Sequence, residues 1–128
     1  MKKEVIIVII ILIIILISNY KTQAYTQECV NTISSRLTEI RENLVEENET
    51  NQAHERIKEI SKQWEGMYGK LAYYIEHDEL EKVNEAMTAL KSNMDVEEYQ
   101  NGVEQLDRCI FILDHIKEKE KFNLRNIF

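Results

Sequence analysis

The tetrapeptide Glu76-His77-Asp78-Glu79 gathers three carboxylates around an imidazole. A divalent metal ion or a general acid–base pair draws on such groups. Neighbouring residues at a helix start point in different directions, so these four do not converge on one ion. The stretch reads as a capped polar turn. His77-Asp78-Glu79-Leu80 copies a retention signal, but an internal copy carries no address. His115 lies beside an apolar stripe and reads as a half-buried, hydrogen-bonded residue, whereas His54 opens a charged helix and reads as solvated. Asn48-Glu49-Thr50 fits the glycosylation pattern and is given little weight. The sequence contains no zinc-ligand spacing, nucleophile elbow or glycine-rich phosphate loop. Neither catalytic residues nor a metal nor a cofactor is expected, and the chain is not expected to be an enzyme.

Cys29 and Cys109 are the only cysteines. If both lie outside the membrane, their compartment can be oxidising. For four antiparallel helices, the rise per residue puts Cys29 about 30 Å and Cys109 roughly 35–40 Å below the top turn. Those levels permit a disulfide, which would close a long loop and add about 2–4 kcal/mol. The alternative is two small apolar packing residues.

Two further groups stand out. Gly66 and Gly69 interrupt a helical pattern in "WEGMYGKLAYY" and share a face with Tyr73, offset from the stripe of Trp64, Met67 and Leu71. Glycine costs about 1 kcal/mol against alanine inside a helix, and small residues on one face permit close approach of another helix. Two readings follow: close packing within the domain, or a docking face for a partner. The end, "EKEKFNLRNIF", sets Phe122, Leu124, Ile127 and Phe128 among Lys119, Lys121 and Arg125. This tail is expected either to pack back on the domain or to lie on the membrane surface.

The elements that hold these residues begin with an anchor. Val5 to Ile17 is an unbroken run of Val, Ile and Leu. Thirteen helical residues cover about 20 Å, short of the roughly 30 Å hydrocarbon core. Ser18, Asn19 and Tyr20 extend the run, Lys3 and Lys21 can snorkel, and the bilayer can thin. Tyr20 and Tyr25 sit where interface aromatics are expected. A cleaved signal peptide is the rival reading, with a cut after Ala24. The crowding of that site by Lys21 and Gln23 favours a retained anchor over residues 1–21. Lys2 and Lys3 then place the amino end in the cytoplasm and the remainder on the far side.

Beyond the anchor, Val30, Ile33, Leu37, Ile40 and Leu44 recur at 3-and-4 spacing, as do Ala53, Ile57, Ile60, Trp64, Met67 and Leu71. Leu80, Val83, Met87 and Leu90 form a third stripe. Val96, Tyr99, Val103, Leu106, Ile110 and Leu113 form a fourth, with Asp95 and Glu98 as a capping box at its start. Polar breaks fall at 46–52, 76–79 and 92–95. The prediction is an all-α chain: one transmembrane helix, then an antiparallel four-helix bundle over 22–119, then a tail over 120–128. An offset of 46 aligns Leu37 with Val83, Leu44 with Leu90, Ile57 with Val103, Ile60 with Leu106 and Trp64 with Ile110. The bundle could thus be two similar hairpins.

The absence of proline and the presence of only three glycines suit this reading. Residues 1–21 hold three lysines and one glutamate. Without them, 13 basic and 22 acidic side chains remain, a charge of −9. So acidic a domain repels phosphate backbones, and no nucleic-acid partner is expected.

The isoleucine-rich anchor, "SKQWEGMYGKLAYYIEHDELEKVNEAMTALKSNM" with Trp64, His77, Glu79 and Leu90, and the end "LDHIKEKEKFNLRNIF" together resemble domain of unknown function 4363. The resemblance covers nearly the whole chain and implies a small one-span bacterial membrane protein with no established activity. Members often have a proline after the His of the last helix. Here Ile116 to Glu118 has none, so that helix is expected to continue. The expected function is binding: an extracytoplasmic accessory module for another envelope membrane protein. A self-associating structural coiled coil and a sensor of an envelope ligand are the alternatives.

Overall fold

The computed structural model describes residues 1–46 and 50–127, the last six of these as backbone only. Four helices make up the fold: α1 Lys2–Val45, α2 Ala53–Leu71, α3 His77–Asp95 and α4 Tyr99–Ile127. The anchor and the first bundle helix are one element, because α1 runs through the expected boundary after residue 21 without interruption. No proline or glycine falls between Lys2 and Val45, so nothing in this stretch stops a helix.

Each helix turns its apolar stripe inward. Val30, Ile33, Leu37, Ile40 and Leu44 of α1 are buried, as are Ile57, Ile60, Trp64 and Leu71 of α2. From α3 come Leu80, Val83, Ala86, Met87, Leu90 and Met94, and from α4 Leu106, Cys109, Leu113 and Ile116. Fully burying one such side chain is worth about 1.5–3 kcal/mol, so the shared core carries the fold.

Side-chain pairs fix the register. Gln23 Nε2 donates to the Glu120 carbonyl (3.3 Å) and Gln27 Nε2 to the Lys117 carbonyl (3.1 Å), while Arg41 pairs with Asp107 higher up. α4 therefore descends as α1 climbs. Arg36 reaches Gln63 (2.5 Å) and Glu59 (3.3 Å) on α2. Glu85 and Glu79 of α3 face Arg108 and Lys119 of α4 at 3.9 Å each. Every neighbouring pair is antiparallel, and α1 and α3 sit diagonally, as do α2 and α4. α2 packs least closely against its neighbours.

The 46-residue offset carries helix onto helix: Ala53, which opens α2, maps to Tyr99, which opens α4. Leu37 and Val83, Leu44 and Leu90, and Ile60 and Leu106 are buried on both sides. Val103 and Ile110, by contrast, are only partly buried.

The third connection departs from expectation. Asp95 closes α3 instead of capping α4, and Val96 is exposed. Glu98 N–H donates to Asn93 O (2.9 Å) and Glu97 N–H to Met94 O (3.2 Å), with Glu97 at φ 58°. This is a Schellman stop with a glutamate at the left-handed position that glycine usually fills. Gly102 supplies space nearby: a Cβ there would lie 2.6 Å from Met94 Cε. α4 then continues well past Lys119, as the missing proline allows.

Candidate functional site: the outer face of α2 and the base of the bundle

Gly66 and Gly69 lie in the last two turns of α2, and Tyr73 just beyond its end at Leu71. All three are exposed, Tyr73 by 85%. A Cβ added at Gly66 or Gly69 would meet nothing within 4 Å. Of the two sequence readings, packing of the glycines within the domain is therefore corrected. Among the described residues no other helix approaches them, because the stripe of Trp64 and Leu71 points the other way. Lys62 and Lys70 flank the same open face.

The inner side of this segment is firmly held. Trp64, 2% exposed, donates through its indole N–H to Asn84 Oδ1 at 2.6 Å, and Tyr68 O–H donates to Glu81 Oε1 at 2.9 Å. The Trp64 and Tyr68 rings meet edge to face at 6.3 Å. The open face is thus mounted on a fixed seam rather than on a loose helix.

At the base of the bundle, the α2–α3 turn brings Tyr74 against Tyr25 of α1, edge to face with 6.4 Å between centroids. Lys70 Nζ sits 4.2 Å over the Tyr25 ring, a cation–π contact. Lys119 of α4 pairs with Glu76 at 3.0 Å. Burial raises the Glu120 carboxyl above its usual range, with Glu76 adding to that push and Lys119 opposing it.

The four residues of Glu76-His77-Asp78-Glu79 do diverge. Glu76 turns to Lys119, His77 lies 3.7 Å from Glu81, Asp78 is exposed, and Glu79 is buried. Among the described residues, no group of three or more His, Cys, Asp or Glu side chains is placed to hold a metal ion. Sequence reasoning missed Glu79. Its carboxylate faces His115 at 3.8 Å and Lys119 at 3.9 Å, tying α3 to α4. The signal was its position four residues before Val83 and one before Leu80, on the core side of the helix. His115 is exposed rather than half-buried in the core, because Leu113 and Ile116 take the inward positions around it. His54 reaches Asp95 at 3.1 Å, linking the start of α2 to the end of α3.

Cys29 and Cys109 are both buried and both free, as the packing alternative has them and a bridge does not. Cys109 is ten residues below the start of α4 and Cys29 sixteen below the end of α1, so their levels are about 15 Å and about 24 Å down. A disulfide needs Cα atoms within about 7 Å. Counting along the sequence alone sets Cys109 too deep. Burial raises both thiols above the ordinary range, Cys109 to about 12. The tail side chains Phe122, Leu124, Ile127 and Phe128, and the sequon residues Asn48 and Glu49, lie outside the described residues.

α1 is long and apolar enough near the amino terminus to cross a membrane, and every side chain from Val5 to Ile17 is exposed. No curated protein and no solved structure matches the chain. The region after the apolar run, residues 20–127, matches a family model throughout, and the chain belongs to the family described as Domain of unknown function (DUF4363).

Proposed function

We propose that this protein is a membrane-anchored binding module whose bundle stands on the outer side of a bacterial cytoplasmic membrane and docks on another membrane protein. α1 is retained as the single span. A cut after Ala24 would fall inside the continuous helix α1. Lys2 and Lys3 hold the amino end on the cytoplasmic side.

One observation carries the binding role. Gly66 and Gly69 weaken α2 and give nothing back among the described residues, where a Cβ at either would meet no atom within 4 Å. A helix–helix contact with a partner is the arrangement in which that loss has a use, because a surface without Cβ atoms lets a second helix come close. Tyr73 continues the face toward the membrane and offers a large, rigid contact at low entropic cost. The face runs down to the base of the bundle, where a partner embedded in the same bilayer would be met.

The self-associating coiled coil has less support. The inward stripes of all four helices are used against one another, and the exposed large apolar side chains beyond the anchor form no stripe along a helix: Val45 and Val96 lie at the top, Phe111 on α4, and Tyr73 and Tyr74 at the base. A ligand sensor has no specific feature in its favour.

The test is photo-crosslinking in intact membranes from probes at Gly66, Gly69 and Tyr73, with Glu104 on the exposed side of α4 as the control. One membrane protein captured from all three α2 positions and not from Glu104 is the expected result. Crosslinks only between copies of this chain would transfer the weight to self-association. Equal capture from Glu104 would remove the docking face.

A further inference from the structure

We infer that the α2–α3 turn is a second membrane contact, seated through Tyr73 and Tyr74 in the headgroup layer of the bilayer that holds α1. The inference rests on the reading of α1 as a retained span and goes beyond it: the bundle does not stand free on a stalk but rests its base on the lipid.

Continuity of α1 makes the height of the bundle a matter of counting. No linker separates the apolar run from the first buried bundle residues, Thr26, Cys29 and Val30. Tyr74 lies against Tyr25, eight residues above Ile17, which is about 12 Å along the helix. Between the hydrocarbon core and the outer edge of the headgroups lie roughly 5–8 Å on each side of a bilayer. The span itself closes the remaining gap. Thirteen apolar residues are about 10 Å short of a 30 Å core, and a short span draws its flanking residues toward the bilayer. With Ser18 to Tyr20 drawn in, Tyr25 and Tyr74 are only five residues, about 8 Å, above the last span residue.

The residues at that level have interfacial chemistry. Tyr20, Tyr73 and Tyr74, exposed by 69%, 85% and 36%, lie at the membrane end of the domain. Tyrosine is enriched at membrane interfaces because its ring is apolar and its hydroxyl wet. Lys21 and Lys70 make no ion pair among the described residues; Lys70 lies over the Tyr25 ring, and Lys21 is the base open to lipid phosphates. Of the acids nearby, Glu76 pairs with Lys119, Glu118 with Lys121 and Glu120 is half-buried, while Glu28 and Asp78 stay exposed. Lys70 also braces Tyr25, which braces Tyr74, so the turn is held at a fixed height.

The experiment uses the full chain reconstituted in phosphatidylcholine–phosphatidylglycerol vesicles, with or without a lipid that carries a nitroxide on its headgroup. Two variants, Tyr73→Trp and Tyr20→Trp, add a reporter beside native Trp64. Trp64 is buried next to Gln63, whose partner Arg36 is nineteen residues above Ile17, about 28 Å from the run. It serves as the unquenched background. The expected result is that the nitroxide lipid removes most of the added emission in both variants. Quenching in Tyr20→Trp with the added emission of Tyr73→Trp intact would overturn the inference and leave the anchor standing. Quenching in neither variant would mean that α1 is not inserted, and both readings would fall. No partner protein is present in the vesicles, so quenching in Tyr73→Trp reports lipid alone.

Discussion

The indole N–H of Trp64 donates to Asn84 Oδ1 at 2.6 Å and is the polar clasp of the α2–α3 seam. The ring itself is buried, but the bond borders an open cleft lined by Ser61, Trp64, Tyr68 and Asn84, so water can reach the N–H if Asn84 is removed. Asn84→Ala is expected to destabilise the bundle by about 0.5–1.5 kcal/mol, the net worth of a hydrogen bond whose donor water can take over. Trp64→Phe removes the donor and some volume together. In the double variant, the loss of Asn84 should cost less than it does alone, a coupling of about 0.5–1.5 kcal/mol. Urea unfolding of the four proteins measures it. Additive effects would mean that the hydrogen bond contributes nothing to the seam.

The three glycines are expected to respond differently to alanine. Gly66 and Gly69 sit in open space inside α2, so Gly66→Ala and Gly69→Ala should each stabilise by about 1 kcal/mol. The double variant should melt several degrees higher. Gly102→Ala gains the same helical preference but drives its Cβ to 2.6 Å from Met94 Cε, in a buried site. Overpacking costs about 1–3 kcal/mol, so no net gain is expected there. Thermal melts in detergent rank the variants. If Gly66→Ala were destabilising, its face would not be open.

Much of this arrangement is legible in the sequence. The stripes of α1 and α3 read correctly because a 3-and-4 spacing of Val, Ile, Leu and Met has only one helical face to occupy. The polar break at 46–52 falls where α1 ends, whereas 92–95 and most of 76–79 lie inside α3, which runs His77–Asp95. What cannot be read is anything that depends on two helices at once. Glu79 reads as part of a polar turn until Lys119 and His115 are seen beside it. The glycines of α2 do not declare whether a neighbour covers them. The level of Cys109 comes out too deep because small errors along several helices accumulate into a wrong register. The stop at Glu97 gives no sign because its left-handed position carries no glycine.

That stop supplies a prediction of its own. Glu97 holds φ 58°, a conformation costing a non-glycine residue about 1–2 kcal/mol. Glycine adopts it freely but loses more entropy on folding. The balance favours Glu97→Gly by up to about 1 kcal/mol, since Glu97 is exposed and its side chain makes no hydrogen bond or ion pair among the described residues. Glu97→Ala keeps the strain and should leave stability nearly unchanged. A gain in both variants would place the cause in charge rather than in backbone geometry.

Glu120 gives a pH dependence with a definite sign. Its carboxyl is raised in the folded chain, chiefly by burial, so the folded state prefers it protonated. The stability this confers is fully present below the unfolded carboxyl's pKa of about 4.3. It is lost as pH rises through the higher folded value. At pH 7 the ionised group is therefore a small liability, and Glu120→Gln should stabilise. At pH 4 and below both side chains are neutral and the advantage should vanish. Melting of both proteins at the two pH values checks this. An advantage that is equal at both would assign the effect to packing.

The two thiols close the set. Cys109 is raised to about 12 by burial, and Cys29 is raised chiefly by burial and in part drawn back by a hydrogen bond with Tyr25. Thiolate is the reacting form, so at pH 8 both are almost wholly protonated, and both are shielded from reagents. Native protein in detergent should resist a maleimide for as long as it stays folded. On addition of denaturant without reductant, two thiols per chain should label. The rate in mild denaturant should follow unfolding of the bundle, because neither sulfur becomes accessible until a core helix leaves. If the two sites label at different rates, the slower one marks the more stable helix. Register makes Cys109, packed between α1 and α3 in the middle of α4, the expected slower site, and Cys29 near the base the faster. Denatured, unreduced protein that failed to label at all would restore the disulfide and overturn the register that separates the two cysteines.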